Sequence, residues 1–315
     1  MKIARIHTRL LTATCLITVL VIFSCKKENS GTLAPQDEEQ ANVAATESDA
    51  DAENVFDGVF NDVLGVNKDV ALGGTGIFGR NDASGYEPSY SNGRIINTTQ
   101  LPSCLNVTIE HTTTNTFPIQ IILDFGSTGC VANDGHSRKG KIIITYSNRL
   151  LYPGATATAA FQDFYIDSTF IENWSTLKIS NIGTQDKLQF QVDIDTRLSK
   201  ATGNYSEWHS SKTIKQTLGS TTSSPLDDVF AIEGSATGKV RRSDIIVAWE
   251  AQVTKPLVKK FSCHWISDGT VSIRRANLSS NSQWVGTLDY GYRYGNCDNR
   301  ALLKINGVNH EITLR

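Results

Sequence analysis

From Cys104 to the C-terminus no stretch carries the period of a long amphipathic helix, and that one feature removes most folds. Parallel strands need a crossover of a dozen or more residues, usually helical, so short-turned strands without one must pair antiparallel. Period-two alternation and β-branched residues place strands at 104–111, 118–126, 140–149, 156–171, 174–181, 187–199, 205–217, 228–240, 244–253, 260–275, 283–290, 300–305 and 308–314. Val192, Ile194 and Thr196 alternate with Asp193, Asp195 and Arg197, as a sheet with one wet face requires. Asn306 and Gly307 separate the last two runs and form a strong hairpin turn. The expected fold is all-β, an extended antiparallel meander sheet, curled or folded into a sandwich, with one short N-terminal helix.

One unit occurs twice within this pattern. Asp124, Phe125 and Gly126 precede Cys130, and Asp289, Tyr290 and Gly291 precede Cys297, with Cys104 and Cys263 one strand pair upstream. Antiparallel pairing brings both cysteines of a unit to one open end, which predicts disulfides Cys104–Cys130 and Cys263–Cys297, each contributing on the order of 3 kcal/mol. The alternatives are weaker. Zinc ligands use short paired spacings that are absent here, and a catalytic cysteine beside His136 or His264 lacks an assignable orienting acid. Gly126 and Gly291 follow an aromatic at a strand end, where a left-handed residue or a bulge would turn the chain toward its cysteine.

The N-terminus points to export. Lys2, Arg5 and Arg9 precede the apolar run from Leu10 to Phe23, which is short for a membrane span, and Ser24 stands directly before Cys25. Residues 1–24 read as a signal peptide, and the junction resembles the lipobox of bacterial lipoproteins, in which the cysteine is lipidated and becomes the mature N-terminus. Acyl chains contribute about 0.8 kcal/mol per buried methylene, so several on Cys25 would hold a soluble domain at a bilayer. Residues 25–53 carry Asp37, Glu38, Glu39, Glu47, Asp49 and Asp51 with few apolar residues, and read as a lipidated cysteine and an acidic, disordered tether. A single β domain is expected over 54–315.

Val55, Phe56, Val59, Phe60, Val63 and Leu64 form one stripe of a helix at about 54–66, with Asp57, Asn61 and Asp62 opposite. That helix is expected on an edge or open face of the sheet. The glycine-rich segment from Gly73 to Gly93 reads as loop, without the flanking elements or Lys-Ser/Thr of a phosphate loop. A net charge of −2 without a basic tract argues against nucleic acid.

Few residues suggest chemistry. Asp124 and Asp289, with Asp134 and Asp298 just beyond the cysteines, fit turn caps or, less well, a calcium site. Asp227, Asp228 and Glu233 offer carboxylates for a glycosidase, but Pro225 makes a turn entering a strand the simpler reading. Trp174, Trp208, Trp249, Trp265 and Trp284 could form a carbohydrate-stacking platform, although strand positions favour packing. Tyr292, Arg293 and Tyr294 fall in a loop and are the candidate ligand-binding residues. Arg138, Lys139, Arg241 and Arg242 read as solvated basic loops. No serine elbow, zinc-protease helix, Walker loop or dinucleotide fingerprint is present, and no cofactor is expected.

The lipobox at Cys25 and the two units at 124–130 and 289–299, followed by Asn306, Gly307 and Ile312, resemble uncharacterised cell-envelope lipoproteins of the Bacteroidota. The resemblance covers most of the chain beyond Cys104 and brings no activity or functional residue with it. Acidic residues after the lipid cysteine accompany surface export in those bacteria, whereas Lys26 and Lys27 follow here. The expected location is therefore the outer membrane, facing the periplasm, with exposure at the cell surface as the alternative. The expected role is a non-catalytic binding or structural module, held at the membrane by its lipid, with a glycan or envelope protein as partner. A glycan hydrolase and a lipid or lipoprotein carrier are the rival readings.

Overall fold

The structure, a computed structural model, describes residues 35–64, 90–91, 94–95, 103–111, 117–131, 136–150, 152–184, 186–221 and 227–314. The signal peptide, Cys25 and most of the glycine-rich segment lie outside the described residues.

Among the described residues one helix, α1 (Pro35–Leu64), precedes seventeen strands. β1 (Tyr90–Ser91) and β2 (Arg94–Ile95) pair only with each other. The rest belong to one sheet: β3 (Asn106–His111), β4 (Ile119–Asp124), β5 (Cys130–Val131), β6 (Ser137–Tyr146), β7 (Thr156–Ile166), β8 (Thr169–Ile171), β9 (Thr176–Asn181), β10 (Gln189–Lys200), β11 (Tyr205–Leu218), β12 (Val229–Arg242), β13 (Ile245–Lys260), β14 (Asp268–Arg275), β15 (Gly286–Asp289), β16 (Arg300–Ile305) and β17 (Val308–Thr313). Neighbours follow chain order from β3 to β17, with β5 added to β6, and β8 and β9 each bridging β7 to β10. Every pairing is antiparallel. The meander is thus one curled sheet rather than a sandwich.

The alternation that marked β10 decides its faces: Val192, Ile194 and Thr196 are buried, whereas Asp193 and Asp195 are exposed. Asn306 and Gly307 take positive φ of 48° and 78°, the pair of left-handed residues that a tight hairpin needs. Both disulfides form, Cys104–Cys130 and Cys263–Cys297, with Cα atoms 5.4 and 5.6 Å apart. The two glycines of the repeated unit differ in their roles. Gly126 is left-handed (φ 71°), whereas a Cβ on Gly291 would lie 2.2 Å from the Asp268 carboxylate, so its requirement is close approach.

The helix departs most from expectation. It begins at Pro35 rather than near 54 and ends at Leu64, so most of the expected acidic tether is helical. Nor does it lie on an edge. The sheet curls around it, with contacts from β7 and from β11 to β16, and from Ala41 to Leu64 only Val43, Glu47, Asp51 and Val55 keep part of their surface. Asp57, Asn61 and Asp62, expected in water, are buried.

Charge complementarity explains why an acidic segment is enclosed. Arg275 of β14 donates to Glu38 at 2.8 Å, and Trp208 of β11 donates its indole N–H to Asp49 at 2.9 Å. Arg242 of β12 meets Glu47, Lys212 of β11 meets Glu53, and Lys259 of β13 meets Asp57. In all of these links the sheet donates and the helix accepts. The C-terminal half adds apolar weight through Phe56, Val59, Phe60, Val63 and Leu64, each worth about 1.5–3 kcal/mol when buried. Tyr146 of β6 closes the end by donating its hydroxyl to the Val63 carbonyl at 2.6 Å.

Candidate functional site

Between one face of α1 and the sheet lies a cavity of about 200 Å³. Its sheet wall is a row set by register: Arg138 of β6 opposes Ile166 of β7, Ile166 opposes Thr169 of β8, and Thr169 opposes Lys200 of β10. Directly opposed residues share a face, so all four side chains point to the same side, over about 14 Å at the usual strand spacing. Phe164, Leu198 and Val240 supply the apolar floor. The helix wall carries Asp51, Val55, Gly58, Val59 and Asp62, which the 3.6-residue period brings to one face.

Gly58 is the informative member of that wall. Glycine within a helix costs about 1 kcal/mol relative to alanine, so a mid-helix glycine needs a packing reason. Among the described residues there is none, because a Cβ at Gly58 would meet no heavy atom of theirs within 4 Å. The bare position keeps the cavity open.

At the rim the structure supplies the orienting acid that the sequence did not reveal. The His136 Nδ1 lies 2.9 Å from an Asp167 carboxylate oxygen, and the other oxygen of Asp167 accepts the Ser137 amide at 3.1 Å. His264, the neighbour of Cys263, brings its ring centroid within 5.4 Å of that of His136. The two histidines flanking the two cysteine units therefore meet at one place. Arg138, expected in a solvated loop, is only 2% exposed. It shares the inward parity of Ile142, Ile144 and Tyr146, and β6 starts at Ser137, three residues before the strand expected over 140–149.

The charges enclosed between α1 and β11 are perturbed by burial. Desolvation lowers the Lys212 ammonium to about 8, outweighing the attraction of Asp49, and raises the Asp49 carboxyl despite Lys212 and the indole donors of Trp208 and Trp249.

The residues singled out from sequence lie elsewhere. Asp124 and Asp289 accept the amides of Gly126 at 2.9 Å and Gly291 at 2.8 Å, which is turn-capping geometry. Asp298 likewise accepts the Arg300 amide at 2.9 Å, and Asp134 lies outside the described residues. Among the described residues no group of three potential metal ligands comes together. Tyr292 donates its hydroxyl to Glu311 at 2.6 Å, and Arg293 donates to both Tyr292 and Glu311, at 2.8 and 2.9 Å. That pair is tied into a surface network, whereas Tyr294 is 99% exposed. Trp208 and Trp249 face the helix and Trp174 is exposed, so the five tryptophans form no common platform. Asp228 is buried and accepts the Gln216 amide at 2.8 Å, while Glu233 is exposed, so these carboxylates do not converge.

No known protein family, no curated protein and no solved structure matches this chain.

Proposed function

We propose that this chain is a lipid-anchored cell-envelope protein, held through Cys25 at the outer membrane and facing the periplasm, that acts as a non-catalytic binding module. Its ligand enters the cavity between α1 and the sheet. The observation that carries this reading is Gly58, a costly residue that lines the cavity and whose vacated space serves no packing contact among the described residues. The lipobox at Ser24–Cys25 and the resemblance to Bacteroidota lipoproteins support the location.

Geometry argues against the hydrolase alternative. Asp51 and Asp62 are eleven residues apart on one helix, about 16 Å along its axis, beyond the separation at which paired carboxyl groups cleave glycosides. Asp167 is already committed to His136. A carrier of lipid would need the sheet interior that α1 fills.

The test compares the intact protein, purified from membranes, with Gly58→Leu and Cys25→Ser. Gly58→Leu should raise the melting temperature through helix propensity and cavity filling, yet abolish the thermal stabilisation given by any small molecule that binds the wild type. Cys25→Ser should move the protein out of the membrane fraction. Ligand stabilisation undiminished in Gly58→Leu would refute the site, and unchanged membrane association of Cys25→Ser would refute the anchor.

A further inference from the structure

The two walls of the cavity carry opposite charge. Arg138 and Lys200 stand on the sheet wall, Asp51 and Asp62 on the helix wall, and an apolar floor that includes Phe164 and Leu198 joins them. This segregation follows from the architecture, since the sheet interior supplies donors to α1 and the helix supplies acceptors. A ligand bridging the walls must therefore present an acceptor to one side and a donor to the other, with apolar surface toward the floor beside them.

Resting on the reading of this cavity as the binding site, we propose that its ligand is a small zwitterion with an apolar side chain, such as a free hydrophobic α-amino acid. The carboxylate addresses Arg138 and Lys200, whose guanidinium and ammonium groups bind carboxylates by charge-assisted hydrogen bonds. The ammonium addresses Asp51 or Asp62, and the side chain covers the floor beside Val55 and Val59. Each of these four charged residues already has a partner within the protein, so the ligand joins an existing network. Arg241, Arg242 and Asp167 also line the cavity, so four cations stand with three carboxylates, and a simple anion would meet repulsion as well as attraction. The cavity volume of about 200 Å³ suits one residue rather than a chain.

Titration calorimetry on the intact wild-type protein tests the proposal with L-leucine and L-phenylalanine, N-acetyl-L-leucine, L-leucinamide, glucose and glucuronate. One of the two amino acids should bind. Blocking either pole, as in N-acetyl-leucine or leucinamide, should weaken leucine binding at least tenfold, and Gly58→Leu should remove it. Equal binding of leucine and both blocked forms would overturn the two-pole assignment. Binding of glucose or glucuronate, lost in Gly58→Leu, with neither amino acid bound would overturn the zwitterion and leave the cavity as the site. Amino-acid binding that persists in Gly58→Leu would overturn the cavity itself, and no binding by any of the six compounds would overturn the proposed ligand class.

Discussion

Lys259 and Asp57 offer the sharpest test of the enclosed helix. The lysine side chain is 0% exposed and the aspartate 4%, and they are 202 residues apart in sequence. Lys259→Met leaves a carboxylate buried without its counter-ion, and Asp57→Leu leaves a buried ammonium, so each single change should cost about 3–5 kcal/mol. For a domain of this size that is a fall of about 10 °C in melting temperature. The double variant replaces the ion pair with apolar groups of similar volume and should lie within about 1–2 kcal/mol of wild type, so the coupling energy is on the order of 5 kcal/mol. Urea unfolding with the disulfides intact measures all four corners of the cycle. Lys255→Ala is the control, because Lys255 meets Asp268 at 2.8 Å on the surface and its loss should leave stability unchanged. A cost below about 1 kcal/mol for Lys259→Met, or additive losses in the double variant, would show that the helix does not occupy the sheet interior.

The indole donors of Trp208 and Trp249 share Asp49, so Asp49→Ala should destabilise by about 2–4 kcal/mol, while Asp49→Asn keeps an acceptor without a charge and should cost less than half as much by urea unfolding. Because burial lowers Lys212 to about 8 from 10.5, the unfolded chain binds more protons between those values, so stability should rise from pH 8 toward pH 10. Above pH 10 the sign reverses. Burial holds the Tyr146 and Tyr290 phenols above their usual range, so the unfolded chain loses protons first; melting curves across pH 7–11 should show a maximum, and Lys212→Met should lose the rising limb. A chain starting at Val55 lacks Asp49 and Glu53 and should give no cooperative melting transition, whereas one starting at Gly31 should melt like the full protein.

Sheet, hairpin and disulfides were legible because each rests on neighbours in sequence or on a period of two. The alternation of β10 and the Asn306–Gly307 turn needed no distant partner. Helix residues from Val55 onward were legible from their apolar stripe. Pro35 to Asn54 were not, because alanine and acidic residues carry no apolar stripe, and what buries them lies some 160 to 240 residues away. A signal was nonetheless present. Lys212 falls at the inward parity of β11 with Trp208, Ser210 and Ile214, and Lys259 shares the inward face with Leu257, so the sheet announced buried cations before it announced their counter-ions. The cavity was hidden for a related reason. His136, Asp167 and His264 converge from separate turns, and Arg138 lies before the apolar alternation of Ile142 and Ile144 becomes visible in sequence.

The enclosed helix also sets an order in time. Synthesis proceeds from the N-terminus, so α1 is finished before any of the strands that hold it, and Glu38 waits 237 residues for Arg275. Until β11 to β14 have emerged, the acidic segment lacks the donors it pairs with, and its carboxylates keep it soluble and extended while the rest of the chain arrives. A nascent or truncated chain therefore cannot fold from its first element outward. Completion of the last strands is the event that draws the first element in.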